Sequence, residues 1–265
     1  MTHESRFHIL GPLEVTVGDR QVRVPAGRQR VLLASLLVDA NEIVPVEELV
    51  ERVWGRHRPR HARGALHTCL TRLRHTLDRG EPTASTMIRT TAAGYGIAAP
   101  PHHLDHLRFQ ELLRDARRAA RRGDPAGESA ALAEALSIWR GPPLADVPSE
   151  SLHREVVPKL TEQWLRAVER SNALALALGR HGELIGELRA LIRRHPFHER
   201  FWGQLMLALY RCGRQAEALQ AYASVRERLR RELGVEPGRE LRRLQLAILR
   251  DDPGLTARCS VPTGW

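Results

Sequence analysis

Short stretches of alternating apolar and polar residues open the chain. Phe7-His8-Ile9-Leu10 and Leu13-Glu14-Val15-Thr16-Val17 read as strands separated by Gly11-Pro12, and Gly18-Asp19 turns into a third, Gln21-Val22-Arg23-Val24. Pro25-Ala26-Gly27 ends that sheet. The period then lengthens. Residues 27–39 collect Val31, Leu32, Ala34, Ser35, Leu36 and Val38 on one helical side. Over 46–54, Val46, Leu49, Val50 and Val53 recur at i, i+3, i+4 and i+7, with Pro45 beside the start, where proline is favoured. Over 60–78, Leu66, Leu70, Leu73 and Leu77 repeat that spacing and predict one buried stripe. Met87–Thr91 and Tyr95–Ala98 read as a hairpin around Ala92-Ala93-Gly94.

From residue 104 the strand signals stop. Helical stretches follow, broken at Gly123-Asp124-Pro125, Gly141-Pro142-Pro143, Gly179-Arg180, His195-Pro196 and Gly213-Arg214. Pro100-Pro101-His102-His103 reads as a linker, because proline stops a strand and cannot continue into a helix. The expected layout is an α+β domain over 1–99, a linker over 100–103, an all-α domain over 104–250 and a tail over 251–265.

The helical part repeats itself. Gly179-Arg180-His181-Gly182-Glu183-Leu184 aligns with Gly213-Arg214-Gln215-Ala216-Glu217-Ala218 at an offset of 34 residues, the period of a tetratricopeptide unit. Glu199–Cys212 and Arg214–Glu232 are the expected antiparallel pair, with Gly213 at their turn and Trp202, Leu205, Leu209, Ala218 and Tyr222 at packing positions. Residues 123–135 read as a weaker earlier copy. Trp139, Trp164, Trp202 and Tyr222 are accordingly expected to pack rather than to bind a ligand. Stacks of such repeats offer concave surfaces for proteins or peptides.

Composition adds less than it promises. Net charge is +10 over 265 residues, which points either to an anionic partner or to a solvated basic surface. Lys159 is the only lysine among 41 basic residues, and asparagine occurs only at Asn41 and Asn172. That skew fits a genome rich in G and C as well as it fits selection for arginine. The basic excess is also spread out, with fourteen basic against ten acidic residues over 1–98 and 26 against 19 over 104–250. Cys69, Cys212 and Cys259 are far apart, so no zinc knuckle, metal site or disulfide framework is expected and a reducing, cytoplasmic setting is. No signal-like apolar segment or run of eighteen apolar residues occurs, so no membrane partner is expected. Gly-x-Gly-x-x-Gly, Gly-x-x-x-x-Gly-Lys, His-Glu-x-x-His and Gly-x-Ser-x-Gly are all missing. No enzyme activity, catalytic residue or cofactor is expected.

Placement of charge is more informative. Between Arg52 and Arg79 stand eight Arg and four His against one acid, Asp78. A helix lying in the DNA major groove needs one apolar stripe for its own core and one face of hydrogen-bond donors. The 60–78 helix has both, its open faces carrying Arg60, Arg63, His67, Thr68, Thr71, Arg72, Arg74 and His75. Two competitors stand beside this reading: a merely solvated basic helix, and a pure protein-interaction scaffold.

Longer motifs carry a resemblance. Phe7-His-Ile-Leu-Gly-Pro-Leu-Glu-Val, Arg28-Gln29-Arg30-Val31-Leu32-Leu33-Ala34, Val44-Pro45-Val46-Glu47-Glu48-Leu49 and Val53-Trp54-Gly55 resemble the OmpR/PhoB-type winged helix, in the version found in the Streptomyces antibiotic regulatory protein (SARP) family. Trp139-Arg-Gly-Pro-Pro-Leu-Ala-Asp, the stretch from Phe197 to Leu219 and Glu232-Leu-Gly-Val-Glu-Pro-Gly resemble that family's bacterial transcriptional activation domain. The match runs from about residue 6 to 250. It implies a winged helix followed by a tetratricopeptide-like all-α domain, in a sequence-specific activator of a secondary-metabolite gene cluster. Such a protein is expected to bind direct repeats near the promoter −35 region as two protomers side by side, and to contact RNA polymerase including its sigma factor. Larger relatives add an ATPase domain, for which this chain leaves no room, so no nucleotide site is expected.

Residue roles follow. Arg72 is the first expected base contact, since Arg reaches guanine O6 and N7 together, with His67 and Thr68 one turn earlier. Arg60, Arg63, Thr71 and Arg74 are expected at phosphates. The loop Gly55-Arg56-His57-Arg58-Pro59 occupies the place that similar proteins use for polymerase, and Arg56 and Arg58 could also meet phosphates. In the wing, Arg89, Thr90 and Thr91 are the candidates. Thr91 stands where similar proteins often carry an arginine, and Arg89, two residues away, faces the same side. Gly64 departs from the pattern too, at about 1 kcal/mol of helix propensity against Ala, which suggests a later helix start or a close phosphate.

Overall fold

The computed structural model describes residues 5–25, 27–78 and 85–255. Ala26, Arg79 and residues 256–265 of the tail lie outside them. Three antiparallel strands come first, β1 (Ser5–His8), β2 (Glu14–Val17) and β3 (Arg20–Gln21), in the order β1-β2-β3. Phe7 pairs with Val15, and both are buried on the same face. The third strand is shorter than its sequence suggested, starting one residue earlier and ending at Gln21 rather than Val24.

Helices α1 (Arg28–Val38), α2 (Val46–Trp54) and α3 (Ala62–Leu77) follow. Helix α1 is buried over Val31–Leu37 without a gap, so it is the central helix of this half. In α3, Leu66, Leu70, Leu73 and Leu77 are each at most 1% exposed, and each such burial is worth roughly 2 kcal/mol. Helix α3 starts at Ala62 rather than residue 60, which leaves Arg60 and His61 ahead of its first turn. A strand absent from the sequence reading, β4 (Val44–Pro45), pairs with β6 (Gly94–Ile97), and β6 pairs with β5 (Ile88–Thr90), giving the order β4-β6-β5. Gly94 and Gly96 permit the approach of β4: a Cβ on Gly94 would lie 2.1 Å from the Val44 carbonyl oxygen, and one on Gly96 2.4 Å from that of Glu42. This is a winged helix.

The remaining helices are α4 (Asp105–Arg121), α5 (Pro125–Ser137), α6 (Glu150–Glu155), α7 (Val157–Ala177), α8 (His181–Arg194), α9 (Glu199–Arg211), α10 (Gln215–Leu233) and α11 (Arg239–Leu249). The chain forms two compact units, Met1–Ala119 with Ala130–Leu165, and Ala120–Ser129 with Arg166–Trp265. The first unit thus takes in more than the winged helix. Asp105, at the head of α4, accepts hydrogen bonds from the main-chain amides of Ile9 and Leu10, both at 2.9 Å. Residues 140–149 lie across the same region as a strap. The Arg140 amide donates to the Leu10 carbonyl (2.9 Å) and the Leu144 amide to that of Ile9 (3.1 Å). Asp146 accepts from the Leu13 amide at 2.7 Å and pairs with Arg30, and the Ser149 hydroxyl donates to the Arg52 carbonyl at 2.8 Å. Buried amides need acceptors, and here 104–165 supplies them. Trp139 packs edge-on to Phe109, ring centres 5.3 Å apart.

In the second unit the 34-residue period is visible in hydrogen bonds. Gly179 and Gly213 have φ of 83° and 74°. The Arg180 amide donates to the Ala175 carbonyl and the Arg214 amide to that of Leu209, both at 2.9 Å, so the same helix-ending motif recurs one period later. Phe201, Trp202, Leu205, Leu209, Ala218 and Tyr222 are buried, and the Trp202 indole donates to the Pro196 carbonyl at 2.9 Å. Glu128, 2% exposed, binds Arg170 through two hydrogen bonds. No helix among the described residues is long and apolar enough to cross a membrane.

Candidate nucleic-acid interface

Helix α3 separates its residue types cleanly. Its leucines face the core, whereas Arg63, His67, Thr68, Thr71 and Arg72 are exposed. Thr68 and Thr71 donate their hydroxyls to the carbonyls of Gly64 and His67, both at 3.0 Å, leaving the oxygens able to accept. A Cβ at Gly64 would meet nothing within 4 Å, so no packing demand explains that glycine.

The arginines divide into two groups. Arg52 is held by Asp39, Glu48 and the Ser35 carbonyl. Arg58 pairs with Glu51 and Arg63 with Glu47, which draws the Glu47 carboxyl below its ordinary value. Both of these pairs are exposed and worth little, so DNA could displace either carboxylate. Arg74 donates to the Ile88 carbonyl (3.0 Å) and to the Thr90 hydroxyl (2.8 Å), which fastens it into the wing. Among the described residues, Arg56, Arg60, Arg72 and Arg89 are exposed and have no carboxylate partner. The acids Glu47, Glu48 and Glu51 on α2, just ahead of the basic stretch 52–79, supply the partners of Arg63, Arg52 and Arg58.

The wing candidates also separate. Arg89, Thr90 and Thr91 are all exposed, but the Thr90 hydroxyl is taken by Arg74. Thr91 closes the turn: its amide donates to the Gly94 carbonyl at 2.9 Å and its hydroxyl accepts from the Gly94 amide at 3.2 Å. A threonine there has a structural task that arginine could not perform. In the loop between α2 and α3, Arg56, His57 and Arg58 are exposed, and Gly55 takes a φ of 53°.

One feature escaped the sequence reading. Arg28, at the start of α1, stacks on Trp54 at the end of α2, 5.5 Å from the ring centre. With Gln29, Ala65, Thr68, Cys69 and Arg72 they line a cleft of about 320 Å³ beside the exposed face of α3. Burial pushes the Cys69 thiol up from its ordinary value, against the pull of Arg28 and Arg72. The signal available in the sequence was the Arg28-Gln29-Arg30 triplet. Of its two arginines, Arg30 turns inward to the Leu13 and Val24 carbonyls and only Arg28 is exposed.

Comparison with known proteins fits this geometry. Residues 22–96 match the family model described as transcriptional regulatory protein, C terminal, and residues 104–249 match the bacterial transcriptional activator domain. Regulatory protein DnrI of Streptomyces peucetius is 37% identical over 255 residues, covering 94% of each chain. The chain belongs to the SARP family. Another member, the transcriptional regulator RedD of Streptomyces coelicolor, is 34% identical over 94% of this chain and 71% of its own. Regulatory protein AfsR of Streptomyces coelicolor is 38% identical, and the chain spans only 25% of its length. Among solved structures, Mycobacterium tuberculosis EmbR in complex with a low affinity phosphopeptide superposes with a TM-score of 0.87 at 31% identity, over 96% of this chain and 68% of that one. As a SARP-family member, the protein is a transcriptional regulator of the activator type, whose domains imply interaction with DNA and RNA polymerase.

Proposed function

We propose that the protein activates a secondary-metabolite gene cluster by binding direct repeats that overlap the promoter −35 region. The observation that carries this reading is the exposed face of α3, where Arg72, His67 and Thr68 stand opposite a fully buried leucine stripe. Arg72 reads a guanine, and His67 and Thr68 approach neighbouring base edges. Arg60, Arg63 and Thr71 meet phosphates, with Arg89 entering from the wing. Arg74, the remaining phosphate candidate, reaches DNA only by leaving Thr90. Two protomers bind one DNA face side by side, because repeats one helical turn apart require it. The loop Gly55–Pro59 then faces polymerase, including its sigma factor. The reading includes no catalytic step and places the protein in the cytoplasm.

The test is a salt titration of binding to the protein's own promoter, beside scrambled DNA of equal length. A DNA reader loses affinity steeply as salt rises and retains its preference for the promoter. Equal binding to both DNAs, or none, overturns the reading in favour of a protein-interaction scaffold.

A further inference from the structure

The cleft between α1, α2 and α3 is placed and charged for a ligand. No carboxylate is among the residues that line it, and among the described residues neither Arg28 nor Arg72 has an acidic partner. Elsewhere on this side of the molecule, Arg52, Arg58 and Arg63 are each matched to a carboxylate. Arg28 is also pre-set: the Trp54 ring beneath its guanidinium limits the conformations that it would lose on binding. Trp54 itself is 7% exposed, and its indole Nε1 is a buried donor with no acceptor. Two guanidiniums without acidic partners around one carboxylate-free cleft favour an anionic group rich in oxygen.

We propose that this cleft seats a phosphate, with Arg28 as its principal ligand and Arg72 at its edge. The inference rests on the reading that α3 enters the major groove. Arg72 and Thr68 belong to both the cleft wall and the exposed face of α3, so the phosphate is one of the DNA backbone next to the base that Arg72 reads. The seat fixes the register of α3 on the duplex while carrying no sequence information itself. The same chemistry would accept a free phosphate compound, and the experiment distinguishes the two.

Operator affinity is measured across a salt series for the full chain, for Arg28→Gln and for Arg72→Ala. Arg28→Gln is expected to weaken operator and scrambled DNA alike, by roughly three- to tenfold, and to lower the slope of log affinity on log salt by about one. Operators neutralised at single phosphates by methylphosphonate are then compared. One such neutralisation should weaken the parent protein and leave Arg28→Gln unchanged, which identifies the seated phosphate even if the variant is less stable. An unaltered salt slope in Arg28→Gln, while Arg72→Ala loses operator preference, overturns the seat and leaves DNA reading intact. Absence of operator preference in the parent protein overturns the underlying reading instead. Competition by millimolar inorganic phosphate at constant ionic strength, with no phosphate-specific methylphosphonate effect, overturns the backbone assignment in favour of a free ligand.

Discussion

The guanidinium of Arg74 donates to the hydroxyl of Thr90 at 2.8 Å, so the helix expected in the major groove and the wing beside it are fastened by one side chain. A second bond from the same guanidinium reaches the Ile88 carbonyl. The angle between the two DNA-facing elements is thereby set within the protein.

Removing that tie should loosen the wing more than the core. Arg74→Met is expected to lower unfolding stability by about 1 kcal/mol, the net worth of one or two such bonds. Urea denaturation measures this, and hydrogen exchange should show faster opening of β5 than of α1. Unchanged exchange in β5 would rule out the tie.

Arg72→Ala acts on recognition instead. It should cost about 1–3 kcal/mol of operator binding and relax preference at one base position, with thermal stability preserved because Arg72 is exposed. Binding-site selection from a randomised operator reads out the relaxed position. A variant with parental selectivity would remove Arg72 from the base contacts.

Gly94→Ala tests the close approach of β4 and β6. The new Cβ would stand 2.1 Å from the Val44 carbonyl oxygen, which main chain cannot accommodate without moving. A loss of about 3 kcal/mol or more is expected by analogy with overpacked cores, seen as a lowered denaturation midpoint. A near-neutral result would mean that β4 does not pair with β6 in solution.

His106 makes the fold sensitive to acid. It is buried, its Nδ1 has no acceptor, and burial pushes its pKa down to about 4. The unfolded value is about 6.5. Between the two, the unfolded chain takes up the proton and the folded chain does not, so stability is complete above about pH 6.5 and declines as pH falls towards 4. The decline from this group is on the order of 3 kcal/mol. Asp105, whose carboxyl burial raises above its ordinary value, contributes in the opposite direction as pH falls through that raised value. His106→Gln should flatten the dependence between pH 6.5 and 4.5 in urea denaturation, and an unaltered slope would acquit the histidine.

The sequence pattern made the winged helix and the 34-residue repeat legible because both rest on local period: leucines at i, i+4 and i+7 in α3, and Gly179 and Gly213 at matching helix ends. What it could not display were partners brought together by folding. Strand β4 has two residues and one of them is proline, so no alternation announces it, and it exists through pairing with β6 some fifty residues later. The arginines of α3 and of the loop before it likewise look uniformly available in the sequence. Their division into paired and unpaired depends on Glu47 and Glu51 of the helix before, and on Thr90 of the wing. Arg28 was quoted as part of a motif but carried no signal of facing the same cleft as Arg72.

The strap from Arg140 to Ser149 bears on how regulators of this kind can be recombined. Cut after residue 99, the DNA-reading piece would carry the amides of Ile9, Leu10 and Leu13 away from the acceptors Asp105 and Asp146. A hybrid that exchanges DNA specificity between two members therefore has to carry Asp105 and the strap along with the reading head, inside what the family models count as the second domain, while keeping Glu128 matched to its Arg170.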